Sequence, residues 1–353
     1  MIEVRPFEGT PEELSDFVVS TWKASYGGTI PVPNWSADYF RWQLRLHEPD
    51  SQRRIVAAYE GSNLAGIIIY CPMDFELHGE SIKGAQSSWL SVSPDFRRRG
   101  VGNALQKGTV AECRDQEIDF QLGYIFHGSS RSIGPGFWQK KQPPGRSIGP
   151  NVGFWARVLD PPRAVEWNVS GLERFLTRMV APLVPTPQSG TDTESARIRH
   201  FKPEDAAACA DIAKRTSTNC ELRLKWTPEL LQAYLQGFGD CLVLEESGQL
   251  AGFIGYHSLI FSGRTDAPVG VIDLVCVTDL SYANRARLLN SVLVELKDGG
   301  AVVALKLRTG DYPPGLFLKR GWAPRLADSH MLFSWSGEPR EVASIRRCHV
   351  LWR

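Results

Sequence analysis

Two segments far apart in the chain have the same plan. Tyr59-Glu60-Gly61-Ser62-Asn63-Leu64-Ala65-Gly66 and Glu245-Glu246-Ser247-Gly248-Gln249-Leu250-Ala251-Gly252 each end a strand, cross a polar turn and open the next strand on Leu-Ala-Gly. A long-period repeat of this kind is best explained by two copies of one domain. The surroundings repeat as well. Ile2–Phe7 alternates as a strand, and Thr10-Pro11-Glu12-Glu13 supplies a cap, a first-turn proline and early acids for a helix. In the second half Ala196–Phe201 is the strand, and Lys202-Pro203-Glu204-Asp205 opens the helix. The chain has 353 residues, which leaves room for both copies.

The first half predicts a second helix after Ser36 and then strands at Arg54–Tyr59, Leu64–Tyr70 and about Ser87–Val92. Their short connections make them antiparallel neighbours. In the second half a helix starts at Thr227-Pro228-Glu229, and strands follow at Cys241–Glu245 and Leu250–Gly255. Pro182-Leu183-Val184-Pro185-Thr186-Pro187, with the polar residues after it, is a linker. Val165, Leu172, Phe175, Leu176 and Met179 predict one amphipathic helix over Ala164–Val180, packed on a domain face. Arg131-Ser132-Ile133-Gly134-Pro135 recurs as Arg146-Ser147-Ile148-Gly149-Pro150, either as two similar turns at the rim of a site or as a chance duplication.

The chemistry is carried by Trp89-Leu90-Ser91-Val92-Ser93-Pro94-Asp95-Phe96-Arg97-Arg98-Arg99-Gly100-Val101-Gly102-Asn103, which is strand, tight loop and helix. Pro94 ends the strand pairing, and Gly100 and Gly102 permit a sharp turn and a close approach. The first N–H groups of the following helix have no partner inside it. With the helix dipole they form an anion site suited to a pyrophosphate. Arg97-Arg98-Arg99-Gly100-Val101-Gly102 resembles the coenzyme loop of the GNAT superfamily of acyl-CoA N-acyltransferases, in which Arg/Gln-x-x-Gly-x-Gly/Ala follows the fourth strand and opens the third helix. The resemblance covers about residues 1–158, and its topology extends over the second half.

The resemblance implies an α/β (α+β) fold of two tandem domains, each a mixed, mostly antiparallel sheet flanked by helices. The expected divisions are a domain with an intact loop at 1–160, helix and linker at 161–194, a degenerate copy at 195–340 and a tail at 341–353. Backbone amides from Arg97, Arg98, Arg99, Gly100, Val101, Gly102 and Asn103 would hold the pyrophosphate of acetyl-CoA, the expected co-substrate. Pantetheine would lie where the fourth and fifth strands splay, near Asp119–Phe126. A backbone N–H near Leu90, Ser91 or Val92 would stabilise the oxyanion. The amine would attack directly, without a covalent enzyme intermediate.

The chain also departs from the family. Ser87–Val92 has no carboxylate to serve as base, and Trp138 stands where a Tyr would protonate the leaving thiolate. His127 is the substitute base, and Tyr124 or Ser129 the substitute acid. In the second half, Thr278–Arg287 contains no glycine for a phosphate loop, although Gly315–Trp322 resembles the family's fourth-helix ending. That half is expected to keep the fold and to have lost tight coenzyme binding. Trp22, Tyr26, Trp35, Tyr39, Phe40 and Trp42 are candidate acceptor-cleft residues.

Composition narrows the remaining classes. A net charge of +1, from 40 Lys+Arg against 39 Asp+Glu, gives no footprint for nucleic acid or an anionic membrane. No apolar run approaches the roughly 18 residues of a membrane span, and Met1–Phe7 predicts no secretory signal. The 7 Cys are scattered without a CxxC pair, as expected of a reduced cytoplasmic protein. The 7 His show no metal-ligand spacing, and no Gly-x-Ser-x-Gly elbow is present, so neither a metal nor a serine nucleophile is expected. The expected acceptor is a small-molecule or peptide amine, and the oligomeric state is left open. A non-catalytic acyl-CoA sensor or assembly protein, and a transferase for a longer acyl group, are the competing readings.

Overall fold

A computed structural model describes residues 1–128, 132, 134–139, 145–180, 182, 185–188, 196–337, 340 and 345–353. The first half runs β1 (Ile2–Pro6), α1 (Pro11–Tyr26), β2 (Val32–Pro33), α2 (Ala37–Gln43), β3 (Ile55–Glu60) and β4 (Asn63–Leu77). It continues with β5 (Glu80–Val92), α3 (Val101–Asp115), β6 (Phe120–Phe126), β7 (Arg146–Val152), β8 (Phe154–Val158), α4 (Pro161–Trp167) and α5 (Gly171–Val180). The second half runs β9 (Ala196–His200), α6 (Ala206–Thr216), β10 (Leu222–Leu224), α7 (Pro228–Leu235), β11 (Asp240–Glu246) and β12 (Gln249–Ser262). It closes with β13 (Asp266–Cys276), α8 (Tyr282–Asp298), β14 (Val303–Leu307), α9 (Gly315–Leu318), β15 (Ala323–Pro324), β16 (Ser329–Trp335) and β17 (Cys348–His349).

Local chemistry sets the element ends. Thr10 and Glu13 form a reciprocal capping box on α1, with Thr10 N donating to Glu13 Oε2 at 2.8 Å and Glu13 N to Thr10 Oγ1 at 3.2 Å. Ser36 caps α2 through the Tyr39 N–H. β4 and β5 reach well beyond the predicted strands, because His78 and Gly79 turn the chain at φ 50° and 89° into a long hairpin. The repeated Leu-Ala-Gly has one packing reason in both halves. A Cβ on Gly66 would lie 3.0 Å from Val101 Cγ1, and one on Gly252 would lie 2.7 Å from Leu280 Cδ1. In each copy the bare backbone admits the segment that follows the fourth strand of the repeat.

The two sheets do not divide the chain at the linker. The first has the order β1-β3-β4-β5-β6-β16-β7, and the second β15-β8-β14-β13-β12-β11-β9. Strand β16, from the second half, lies between β6 and β7, pairing Phe333 with Leu122 on one side and with Ser147 on the other. Strand β8 makes the reverse journey and pairs with β14 from Leu307↔Phe154 to Val303↔Val158. One core contains residues of both halves, among them Phe120, Leu122, Cys241, Phe253, Met331 and Phe333.

Three local expectations are corrected. The helix predicted over Ala164–Val180 is broken, because Asn168 accepts the Ser170 N–H and starts a new turn. Its second part, α5, is not packed by its apolar side: Leu172 is 68% exposed and Phe175 59%. Residues 345–353 are not a loose tail, since Ile345, Cys348, Val350 and Leu351 are all buried. The segment Arg146–Pro150 is part of strand β7 rather than a turn, and residues 131 and 133 of its earlier copy fall outside the described residues.

Because both sheets share strands, a defect in one should unfold both. Phe333→Ala empties a fully buried position on the inserted strand, for an expected loss of about 3–5 kcal/mol. Urea unfolding followed by tryptophan fluorescence and by far-UV circular dichroism should give coincident midpoints, both lowered.

Candidate functional site

Strands β5 and β6 run parallel for only three paired positions, ending at Gln86↔Leu122, and then part. In the same stretch β5 bulges against β4, where the register moves from Ile69↔Ser88 to Ile67↔Ser91 and Trp89 takes φ 53°. A bulge leaves an extra residue without a ladder partner. Trp89 and Leu90 therefore border the gap that β6 no longer fills. A cavity of about 1140 Å³ occupies the gap. It runs from Gly100 and Asn103 at one end to Phe261 and Leu305 of the second sheet at the other.

The loop at the near end is built for exposed backbone. Arg98 and Gly100 both take left-handed conformations, at φ 62° and 85°. Gly100 is the N-cap of α3 and offers no side-chain acceptor to the first helical N–H groups. The equivalent helix of the second half is closed, since the Ser281 hydroxyl accepts the Asn284 N–H. Arg285 closes the loop further, with Nε 2.7 Å from the Leu280 carbonyl.

The three loop arginines have different jobs. Arg97 ties the loop down, with Nη2 2.6 Å from Ser25 Oγ and Nε 3.3 Å from the Val92 carbonyl. Arg98 is exposed, borders the cavity and makes no ion pair among the described residues. Arg99 turns away to Glu60 and the Phe96 ring and is not part of the cavity wall. A fourth arginine, which the loop pattern does not reveal, joins the wall. Arg146 donates to Gln106 Oε1 at 2.6 Å and lies 4.7 Å over the Trp138 ring. Burial pulls its guanidinium pKa down to about 10.

The other expected residues are distributed as follows. Leu90–Val92 and Gly100–Asn103 line the cavity, as do Trp22, Tyr26 and Trp35. Tyr39, Phe40 and Trp42 lie outside it, in the core, with Trp42 stacked on Tyr234 at 4.9 Å. Tyr124 borders the cavity, but its hydroxyl donates to the Leu351 carbonyl at 2.7 Å. Burial pushes its pKa well above the ordinary phenol value. His127 is not in the cavity wall. Its Nε2 is 3.0 Å from Asn151 Oδ1, and its ring is 4.7 Å from that of His330. Ser129 falls outside the described residues. Residues 8–131 match the family model described as an acetyltransferase (GNAT) domain.

The chain carries a GNAT domain. Its fold is that of tandem GNAT proteins. Saccharomyces cerevisiae N-myristoyltransferase with bound myristoyl-CoA superposes with TM-score 0.75 over 100% of this chain and 89% of that one, at 15% identity. A GCN5-related N-acetyltransferase from Kribbella flavida gives TM-score 0.53 over 95% and 72% of the two chains, at 14% identity. No curated protein sequence matches the chain. No helix among the described residues is long and apolar enough to cross a membrane.

Outside the GNAT domain, the matching gap of the second half is filled from within. Pairing of β13 with β14 stops at Ile272↔Lys306, where the strands would part. Lys306 is 1% exposed and donates to the Asp273 carbonyl at 3.1 Å, with Asp311 3.8 Å away. His349, from the C-terminal strand, approaches the same carboxylate at 3.2 Å. Burial alone would raise the Asp311 pKa. Lys306, His349 and Thr309 outweigh it and hold the carboxyl below its ordinary value. Its contribution to stability is therefore present above the ordinary carboxylate pKa and is lost as pH falls through the lower, folded value. Asp311→Asn leaves Lys306 buried without its counter-charge and should cost about 3–5 kcal/mol. Thermal melts at neutral and acid pH check this, and the difference between variant and wild type should shrink in acid.

Proposed function

We propose that the protein is an acyl-CoA-dependent N-acyltransferase that transfers an acetyl or other short acyl group to a primary amine within a ternary complex. The observation that carries this reading is the uncapped start of α3 opening directly into the gap between β5 and β6. Free N–H groups there suit a pyrophosphate. Amides of Arg97–Asn103 hold it, and Arg98 and Arg146 add positive charge beside it. The pantetheine arm follows the edge of β5 that β6 has left unpaired. The bulge at Trp89–Leu90 supplies an N–H for the thioester oxygen as it becomes an oxyanion. With both substrates in one cavity, the amine attacks the thioester carbon and the thiolate leaves.

The second half binds no coenzyme in this reading. Its helix start is capped by Ser281, its loop is closed by Arg285, and its gap is filled by Lys306. It contributes walls to the acceptor end instead, through Phe261 and Leu305.

A short acyl group is favoured by the indole of Trp89. It is buried beneath the bulge, edge-on to Trp35, Tyr39 and Phe40 at 6.2, 6.1 and 5.5 Å. A second reading, a longer acyl chain, is favoured by the extension of the cavity towards Phe154, Trp167, Phe261 and Trp352.

Titration calorimetry with acetyl-CoA should show saturable binding near one per chain. Gly100→Glu forces a side chain into a left-handed cap, and Gly102→Glu drives one at the Phe137 ring, 3.2 Å from the Cβ position. Both variants should stay folded and lose binding. An acyl-CoA chain-length series then decides the donor. Coenzyme binding without thiol release in the presence of any amine would make the protein a sensor instead.

A further inference from the structure

The charge around the cavity is one-sided. Its described wall contains five arginines (Arg97, Arg98, Arg146, Arg325 and Arg353) and a single acidic side chain, Asp328. The arginines suit a polyanionic coenzyme. A lone acid among them works against coenzyme binding and so calls for its own explanation. Asp328 comes from the second half, one residue ahead of β16, the strand inserted beside β6. Its main chain is fixed on both sides: its carbonyl accepts the His127 N–H at 2.7 Å, and its own N–H donates to the Val152 carbonyl at 3.1 Å.

That anchoring fixes its place in the cavity wall. Phe126, the last residue of β6, lines the same cavity as Leu90 and Ser91 on β5. Asp328, bonded to the main chain of His127 just beyond Phe126, therefore borders the cavity that the bulge also borders, where the thioester lies in the proposed complex. Resting on that reading, we propose that Asp328 receives the acceptor as an ammonium ion and acts as general base for its acylation.

The step balances. The Asp328 carboxylate takes one proton from the ammonium. The freed nitrogen lone pair forms the C–N bond at the thioester carbon, and the C–S bond breaks. The second nitrogen proton passes to the departing thiolate, and Asp328 returns its proton to solvent. The product amide has no charge, so it loses the attraction that held the acceptor.

The groups facing the carboxylate fit this role. Ser329 donates to Oδ1 at 3.1 Å. The charged or titratable neighbours are His127 at the end of β6, His330 on β16 and Arg325 in the preceding turn, which is paired with Glu173 of α5 at 2.5 Å. On β7 the facing groups, Asn151 and Val152, do not titrate. Burial outweighs Ser329, Arg325 and His127 and raises the carboxyl above its ordinary value, which strengthens it as a base.

The test compares wild type, Asp328→Asn and Asp328→Glu. It reads acetyl-CoA affinity by calorimetry and kcat/KM against pH with the best amine of a primary-amine panel. Asp328→Asn is expected to bind coenzyme as wild type does and to lose about 100- to 10,000-fold in kcat/KM. It should also lose the acid limb of the pH profile, which Asp328→Glu restores in part with a shifted midpoint. Wild-type turnover and pH profile in Asp328→Asn would overturn the assignment while leaving the acyltransferase reading intact. A wild type that binds coenzyme and acylates no amine would overturn both.

Discussion

The whole site depends on the parting of two parallel strands. A sheet interior does not tolerate a row of unpaired N–H and C=O groups unless something else satisfies them. After Gln86↔Leu122 the pairing of β5 with β6 stops, and β6 is held from its far side by β16 over seven positions. That second ladder lets β6 stay a strand while it diverges. The gap keeps its width because β6 is anchored to a segment more than 200 residues away in sequence, as the pairing Phe126↔Ser329 shows. A strand held only by its neighbour across the gap would close the gap to recover its hydrogen bonds.

This explains what could be read from the chain and what could not. The Leu-Ala-Gly repeat and the capping residues Thr10, Ser36 and Thr227 act through neighbours a few positions away, so the doubled fold and the helix starts were legible. The tight turn into α3 was legible too, because Arg98, Gly100 and the start of α3 form one short segment. The exchange of β8 and β16 was not. Nothing in Phe154–Val158, which alternates like any half-buried strand, or in Ser329–Trp335, with its apolar run Met331-Leu332-Phe333, states which sheet each joins. Arg146, Arg325 and Asp328 reach the cavity through that exchange, so no local pattern could announce them. The same limit explains His127. It follows directly on β6, but its side chain faces Asn151 and His330, which only the inserted β16 and neighbouring β7 place there.

The two halves dispose of the same architectural opening in opposite ways. In the first, a glycine cap offers no side-chain acceptor to the helix N–H groups, and the gap opens into a cavity. In the second, a serine cap takes one of them and Lys306 enters the gap. Burying an ammonium is costly by itself. Here it is offset by Asp311, by the Asp273 carbonyl and by the Tyr312 ring 5.3 Å away. A plug made of paired charges is fixed in place, since moving Lys306 strands Asp311. A plug of aliphatic side chains would close the gap without that constraint.

Such a fixed plug makes sense if the second half acts as a wall. Val271 and Ile272 pair with Leu305 and Lys306, so the group that seals the pseudo-site also sets the register of β14. Leu305 is one of the residues at the far end of the cavity, and β14 in turn carries β8, whose Phe154 lines the same end. Displacing Lys306 would therefore act on the first half's cavity through two strand ladders, with no contact to the loop that opens α3. On this view the second half is the rigid frame that sets the depth of the first half's cavity.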